Sequence, residues 1–305
     1  MNRRRVALAA LAALLLASTF LHPSLRLHRT VFRHVVVFDI SQSMNTPDCP
    51  LGARDTSRLA CAKTALAEAL RELPCGSELS WGAFTGYQSF VLSAPVEVCD
   101  HRAELQAAMQ PLDWRVGWEP GSEVARGLRS ALDLVRNLAT REVPAPDLVF
   151  VTDGHEAPPI SDRYANRDRD KTPVVRGAII GVGGDQPVPI PKYDMDGKLL
   201  GVWELDDVPQ ADLSAVRGFT SVPGERMAGV EGEPAATAGN EHLSSLREGH
   251  LRELARDHDL AYARLERPDD MLRALTAPHL ERKLPVDTDM RWALAVLALL
   301  ALLLS

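Results

Sequence analysis

Five consecutive residues, Asp39-Ile40-Ser41-Gln42-Ser43, set one carboxylate and two hydroxyls at alternate positions. Before them, His34 leads into Val35-Val36-Val37-Phe38, a β-branched stretch that reads as a buried parallel strand ending at Asp39. Open α/β sheets carry their sites where the chain leaves the carboxyl end of such a strand. A turn there aims Asp39, Ser41 and Ser43 at one point, and three hard oxygens suit Mg²⁺, Mn²⁺ or Ca²⁺. A pentapeptide of this kind also occurs as an ordinary solvated turn, so the surrounding elements must carry the assignment.

A second acid stands in the same relation to a strand. Asp147-Leu-Val-Phe-Val-Thr152 is a buried stretch that runs into Asp153, followed by Gly154, His155 and Glu156. Because Asp39 and Asp153 end strands, their removal is expected to leave the fold largely intact. His155 and Glu156 invite an acid–base reading, but no serine, cysteine or histidine is arranged with a nucleophile's supporting partners. They are read as surface-loop residues near a metal, a hydrolase is set aside, and no catalytic residue is assigned.

The elements that must position these groups alternate. A helix is expected over 57–73, where Leu59, Ala62, Leu66, Ala69, Leu70 and Leu73 form one stripe before Pro74. Strands at 78–84 and 89–98 flank Thr85-Gly86-Tyr87 and supply an antiparallel edge. Helices follow at 102–109 and 122–138, strands at 147–152 and 174–182, then helix 244–257, strand 260–265 and helix 269–275. This order predicts an α/β fold with a doubly wound, mostly parallel sheet flanked by helices. Residues 185–240, rich in Pro, Gly and Asp, read as a long insertion, and the alternating charges at 166–171 as a solvated loop.

Both ends are apolar. Arg3, Arg4 and Arg5 precede sixteen residues, 6–21, that are apolar except for Ser18 and Thr19, which is an export signal by charge and length, either cleaved near 17–19 or kept as an anchor. Residues 292–304 form a second apolar run of thirteen, short of the roughly 20 that a spanning helix needs. Three parts result: an anchor and linker at 1–30, a folded domain at 31–280, and a linker with an apolar membrane segment at 281–305. Four cysteines in an exported chain predict disulfides, with Cys49–Cys61 and Cys75–Cys99 the preferred pairing and the other two connectivities open. A net charge of −7 argues against a nucleic-acid partner.

Asp39-Ile-Ser-Gln-Ser43, Gly121-Ser122 and Thr152-Asp153-Gly154 together resemble the metal-ion-dependent adhesion site of von Willebrand factor A (VWA) domains, with serine where the family usually has threonine. The resemblance covers roughly residues 33–278. It implies that Asp39, Ser41, Ser43, Ser122 and Asp153 bind a divalent cation, Mg²⁺ or Ca²⁺, whose open side awaits an acidic residue of a protein partner. Glu123, next to Ser122, is read as a solvent-facing residue of the first helical turn. The segments 172–184, 189–194 and 197–203 are similar to the MxaL-type accessory proteins of methanol dehydrogenase operons. That likeness implies a protein of the inner membrane, its domain in the periplasm, assisting maturation of a quinoprotein methanol dehydrogenase or its calcium insertion, alone or with other accessory VWA proteins. The alternative is a Bat-like envelope protein working with an ATPase partner.

Overall fold

The computed structural model describes residues 3–51, 56–117, 119, 121–140, 144–157, 174–207 and 241–304. The charged run at 166–171 and the stretch 208–240 of the expected insertion lie outside them. The chain divides into two compact units, residues 32–280 and the paired terminal segments 1–31 and 281–305.

In chain order, α1 (Arg3–Ser18) and β1 (Ser24–Val31) belong to the terminal unit. The larger unit begins with β2 (Arg33–Asp39), α2 (Arg58–Glu72), β3 (Glu78–Thr85), β4 (Gln88–Val91), β5 (Val96–Glu97) and α3 (Arg102–Met109). It continues with α4 (Val124–Asn137), β6 (Asp147–Thr152), β7 (Gly177–Gly181) and the short strands β8 (Val188–Pro189), β9 (Pro191–Tyr193), β10 (Leu199–Val202) and β11 (Leu243–Ser244). It closes with α5 (Glu248–Asp257), β12 (Ala261–Arg264) and α6 (Pro268–Leu275), after which β13 (Arg282–Asp289) and α7 (Arg291–Leu303) complete the terminal unit.

One sheet has the order β12-β7-β6-β2-β3-β4, with β5 also on β3. From β12 to β3 all neighbours are parallel, while β4 and β5 run antiparallel to β3. The expected doubly wound, mostly parallel sheet with an antiparallel edge is therefore present. From β2 the chain steps to β3 on one side and later returns to the other side at β6. That reversal opens a crevice at the carboxyl ends of β2 and β6, where Asp39 and Asp153 stand.

Alternation along β2 builds both cores, since successive side chains point to opposite faces. Val36 and Phe38 pack with Leu66, Leu70, Trp81, Met109 and Leu275 on one face. Val35 and Val37 pack with Phe84, Leu128, Leu132, Phe150 and Leu251 on the other.

Several boundaries differ from the sequence reading. The strand expected over 89–98 breaks into β4 and β5 because Pro95, between them, has no N–H to donate to the ladder. The helix expected from 122 starts at Val124, and the one expected from 244 starts at Glu248, with Ser244 in a strand pair against Val188.

The terminal segments, read as linkers, hold an antiparallel ribbon instead: β1 pairs with β13 from Ser24 opposite Asp289 to Val31 opposite Arg282. Helices α1 and α7 meet through Ala12, Ala298 and Ala301, with Leu15 packed against them. Leu14, Phe20, Leu21, Trp292 and Leu303 stay exposed. With its final turn, α1 runs over Arg3–Leu21, 19 residues, long and apolar enough to cross a membrane, whereas α7 is shorter.

The structure pairs Cys49 with Cys61 and Cys75 with Cys99. Thiol labelling of the denatured, unreduced protein is expected to modify none of the four. Labelling of any one of them would count against the pairing.

Candidate metal centre

Asp39 is fully buried at the end of β2, and both carboxylate oxygens are oriented by neighbours. The Ser41 N–H donates to Oδ1 at 2.9 Å, and the Thr152 hydroxyl, from the adjacent strand, donates to Oδ2 at 2.6 Å. A short 3₁₀ turn over Gln42–Asn45 follows, leaving the Ser41 and Ser43 hydroxyls 3.2 Å apart. Ser122 is held by backbone pairing with Ala157, donating at 2.7 Å and accepting at 2.8 Å. Its hydroxyl is buried and has no hydrogen-bond partner among the described residues. An orphaned hydroxyl of this kind costs about 1–3 kcal/mol unless a ligand satisfies it. Ser41, Ser43 and Ser122 line one solvent-open depression together with His155, Trp203 and Glu241. Hard oxygens converging on one pocket, one of them lacking a partner, fit a hard divalent cation.

Asp153 completes the set, but differently. Its Oδ1 accepts the His155 N–H at 3.0 Å, and its Oδ2 accepts the Ser244 hydroxyl at 3.1 Å and one arm of the Arg58 guanidinium. The Ser43 hydroxyl also bonds to this carboxylate. Arg58 has no exposed surface, and its Nε and Nη2 donate to the two oxygens of Asp48 at 2.6 and 2.7 Å. Burial and then the charge on Asp153 push the Asp39 carboxyl up to about 7. Burial, the largest influence, would raise Asp153, yet the Arg58 charge, His155 and the bonds from the His155 amide and the Ser43 hydroxyl together outweigh it and hold that carboxyl below the usual carboxylate range. A buried acid pushed up by a neighbouring carboxylate is an arrangement that a dication relieves.

Residues 34–155 match the family model of the von Willebrand factor type A domain, a segment containing Asp39, Ser41, Ser43, Ser122 and Asp153. The domain has the von Willebrand factor type A fold. Among solved structures, the VWA domain resembles an aerotolerance-related membrane protein from Bacteroides fragilis at 14% identity and a TM-score of 0.51, covering 80% of this chain and 96% of that one. It also resembles the conserved hypothetical protein BatB from Bacteroides thetaiotaomicron at 16% identity and a TM-score of 0.51, covering 80% and 94%. At such identities the likeness is one of fold. No curated protein matches the chain.

Around the VWA site, two residues read as surface-loop groups have other places. His155 is buried on the pocket wall. Its Nε2 lies 3.1 Å from the Glu241 carbonyl oxygen, which can only accept, so that nitrogen carries the proton. Burial lowers the imidazole to about 4, which keeps it neutral at pH 7. Glu156 accepts the N–H groups of Val124 and Ala125 at 2.9 Å each, acting as the cap of α4 from a distant loop. Glu123, at the N-cap position itself, spends its carboxylate on Arg126 at 2.8 Å. Glu156→Ala is therefore expected to lower stability by about 1 kcal/mol, as loss of an N-cap does. Urea denaturation checks this, and an unchanged midpoint would refute the capping role.

Sequence reasoning passed over Arg58, Asp48 and Ser244. Ser57 caps α2 through the Ala60 N–H at 3.2 Å, so Arg58 takes the first helical position, where a charged residue ordinarily faces solvent. Ser244 lies 91 residues from the acid it touches. The only trace in the sequence is the Gly183-Gly184 pair, which makes room for Arg58 and Asp48.

Proposed function

We propose that this VWA domain is a membrane-tethered binding module, not an enzyme. Asp39, Ser41, Ser43 and Ser122 would hold a divalent cation, with Asp153 behind them. Its open side would receive an acidic residue of a protein partner. The observation carrying this reading is the gathering of the Ser41, Ser43 and Ser122 hydroxyls, one buried without a partner among the described residues, in one depression at the topological switch of the sheet, with Asp39 bonded to the Ser41 amide. Once bound, the dication supplies positive charge and an exchangeable position for the incoming carboxylate. The protein's own groups do the orienting: Thr152 and the Ser41 amide fix Asp39, and the Ala157 bridge fixes Ser122. A non-catalytic role is supported by the engagement of His155 with a carbonyl and of Glu156 with helix amides.

Placement in the inner membrane with the domain in the periplasm is supported by the three arginines that open α1, which favour a cytoplasmic amino end, and by the two disulfides. Protease added to spheroplasts is expected to degrade the domain; protection until the inner membrane is lysed would overturn the placement.

Two partner classes follow from this reading. The Bat-like class, with an ATPase partner, draws support from the fold neighbours named above. The methanol dehydrogenase class, in maturation or calcium insertion, draws on the sequence segments 172–184, 189–194 and 197–203. Surface plasmon resonance on the full chain in detergent, with calcium-free methanol dehydrogenase and a gene-neighbour ATPase as analytes, separates them. The true partner is expected to bind in Mg²⁺ and to be released by a chelator. Binding that is indifferent to the chelator would reject the cation-bridged contact.

A further inference from the structure

We propose that Arg58 is a positioning residue of the cation site, acting through Asp153, and that Asp48 and the Cys49–Cys61 disulfide hold it in register. The inference rests on the cation-site reading above. Arg58 distributes its donors over every part of the site's rear wall. Nη1 reaches Asp153 Oδ2, the Ser244 hydroxyl at 2.6 Å and the Ser43 carbonyl at 3.4 Å. Nη2 reaches the Ser244 carbonyl at 3.2 Å, and Nε and Nη2 grip Asp48 in a bidentate pair. One planar group thus ties the Ser43 turn, the acid after β6 and the β11 strand to a single point. A guanidinium does this because its five donors lie in a fixed fork, which an ammonium lacks.

The other end of the fork is anchored as firmly. Asp48 Oδ2 also accepts the Gly184 N–H at 2.9 Å. Gly183 adopts φ +134°, and a Cβ there would fall 2.7 Å from Arg58 Nε, so the glycine is what admits the guanidinium. Cys49 follows Asp48 directly, and its partner Cys61 lies one helical turn after Arg58. The disulfide therefore closes the loop that carries Asp48 onto the helix that carries Arg58. Unlike Asp39, Asp153 is already neutralised by a bonded guanidinium, and its Oδ2 accepts two donors, which places its contribution behind the cation rather than on it. Supporting groups of this kind typically change metal affinity about 10–100-fold when altered.

The test is Mn²⁺ calorimetry on the full chain in detergent, with circular dichroism to confirm folding. Arg58→Lys keeps the charge and loses the fork, so it is expected to weaken Mn²⁺ binding about tenfold. The same change made in an Asp153→Asn background is expected to shift the affinity by less than about twofold, because the route through Asp153 is already gone. Asp48→Asn and the double change Cys49→Ser/Cys61→Ser, which leave Arg58 in place, are expected to weaken binding in the same direction and serve if Arg58→Lys fails to fold. Equal losses in both backgrounds, or no loss from any of these variants while the unaltered chain binds Mn²⁺, would overturn the inference and leave the cation site standing. An Asp153→Asn chain that binds no Mn²⁺ would mark Asp153 as a direct ligand and also overturn it. An unaltered chain that binds no Mn²⁺ would remove the cation site and the inference together.

Discussion

Asp39→Asn is expected to lower the affinity for Mg²⁺ or Mn²⁺ by about 100-fold or more, beyond the range seen when only supporting groups are changed. Asp39 is the carboxylate whose neighbours aim it without neutralising it: a backbone amide and a hydroxyl hold its two oxygens, and no cationic side chain is bonded to either among the described residues. The amide replacement keeps the shape and one carbonyl oxygen to accept from Thr152 or Ser41, so the fold is expected to survive. Burying a neutral amide here also relieves the desolvation and the repulsion from Asp153 that together push Asp39 up to about 7. Calorimetric titration of the folded variant decides the matter. An affinity within a few-fold of the unaltered chain would remove Asp39 from the site.

Asp153→Ala is expected to behave differently, although both acids end strands and the sequence treats them alike. Removing Asp153 leaves the Arg58 guanidinium without one of its two acids in a place with no exposed surface. Breaking a buried ion pair by deleting one partner costs about 3–5 kcal/mol, and the surviving pair with Asp48 puts the expected loss near the lower end. For Asp153 this expected loss stands against the sequence-based expectation that its removal leaves the fold largely intact. Urea denaturation of the unaltered chain, Asp153→Ala and Asp39→Asn side by side makes the comparison. A similar stability for all three would show that Arg58 does not depend on Asp153.

What could be read from the sequence follows from how locally each feature is encoded. The strand ending at Asp39 and the alternation of Ser41 and Ser43 are contiguous, so both the element and the chemistry stand in one short window. The acid at Asp153 was visible for the same reason, as the end of an apolar run. Ser122 came only through resemblance, because nothing in its own surroundings marks a hydroxyl that will be pinned by Ala157 from a distant loop. Arg58 was hidden by its helix: a cap before it and a leucine stripe after it are what an exposed first-turn residue also shows. Glu156 was misread because a capping acid normally sits at the start of the helix that it caps, and this one arrives from beyond β6. The ribbon of β1 with β13 was invisible, since each strand is polar on its own and neither contains a sign of the other.

That ribbon also fixes an order of events. Ser24 is synthesised before the whole of the larger unit and its pairing partner Asp289 after it, so β1 must wait with an open edge while the sheet is made. Helix α1 waits likewise for α7. The sheet can collapse on its own contacts in the meantime, but the terminal unit can be assembled only by a chain translated through residue 289. A product truncated before residue 282 would therefore carry β1 with an open edge beside a finished sheet.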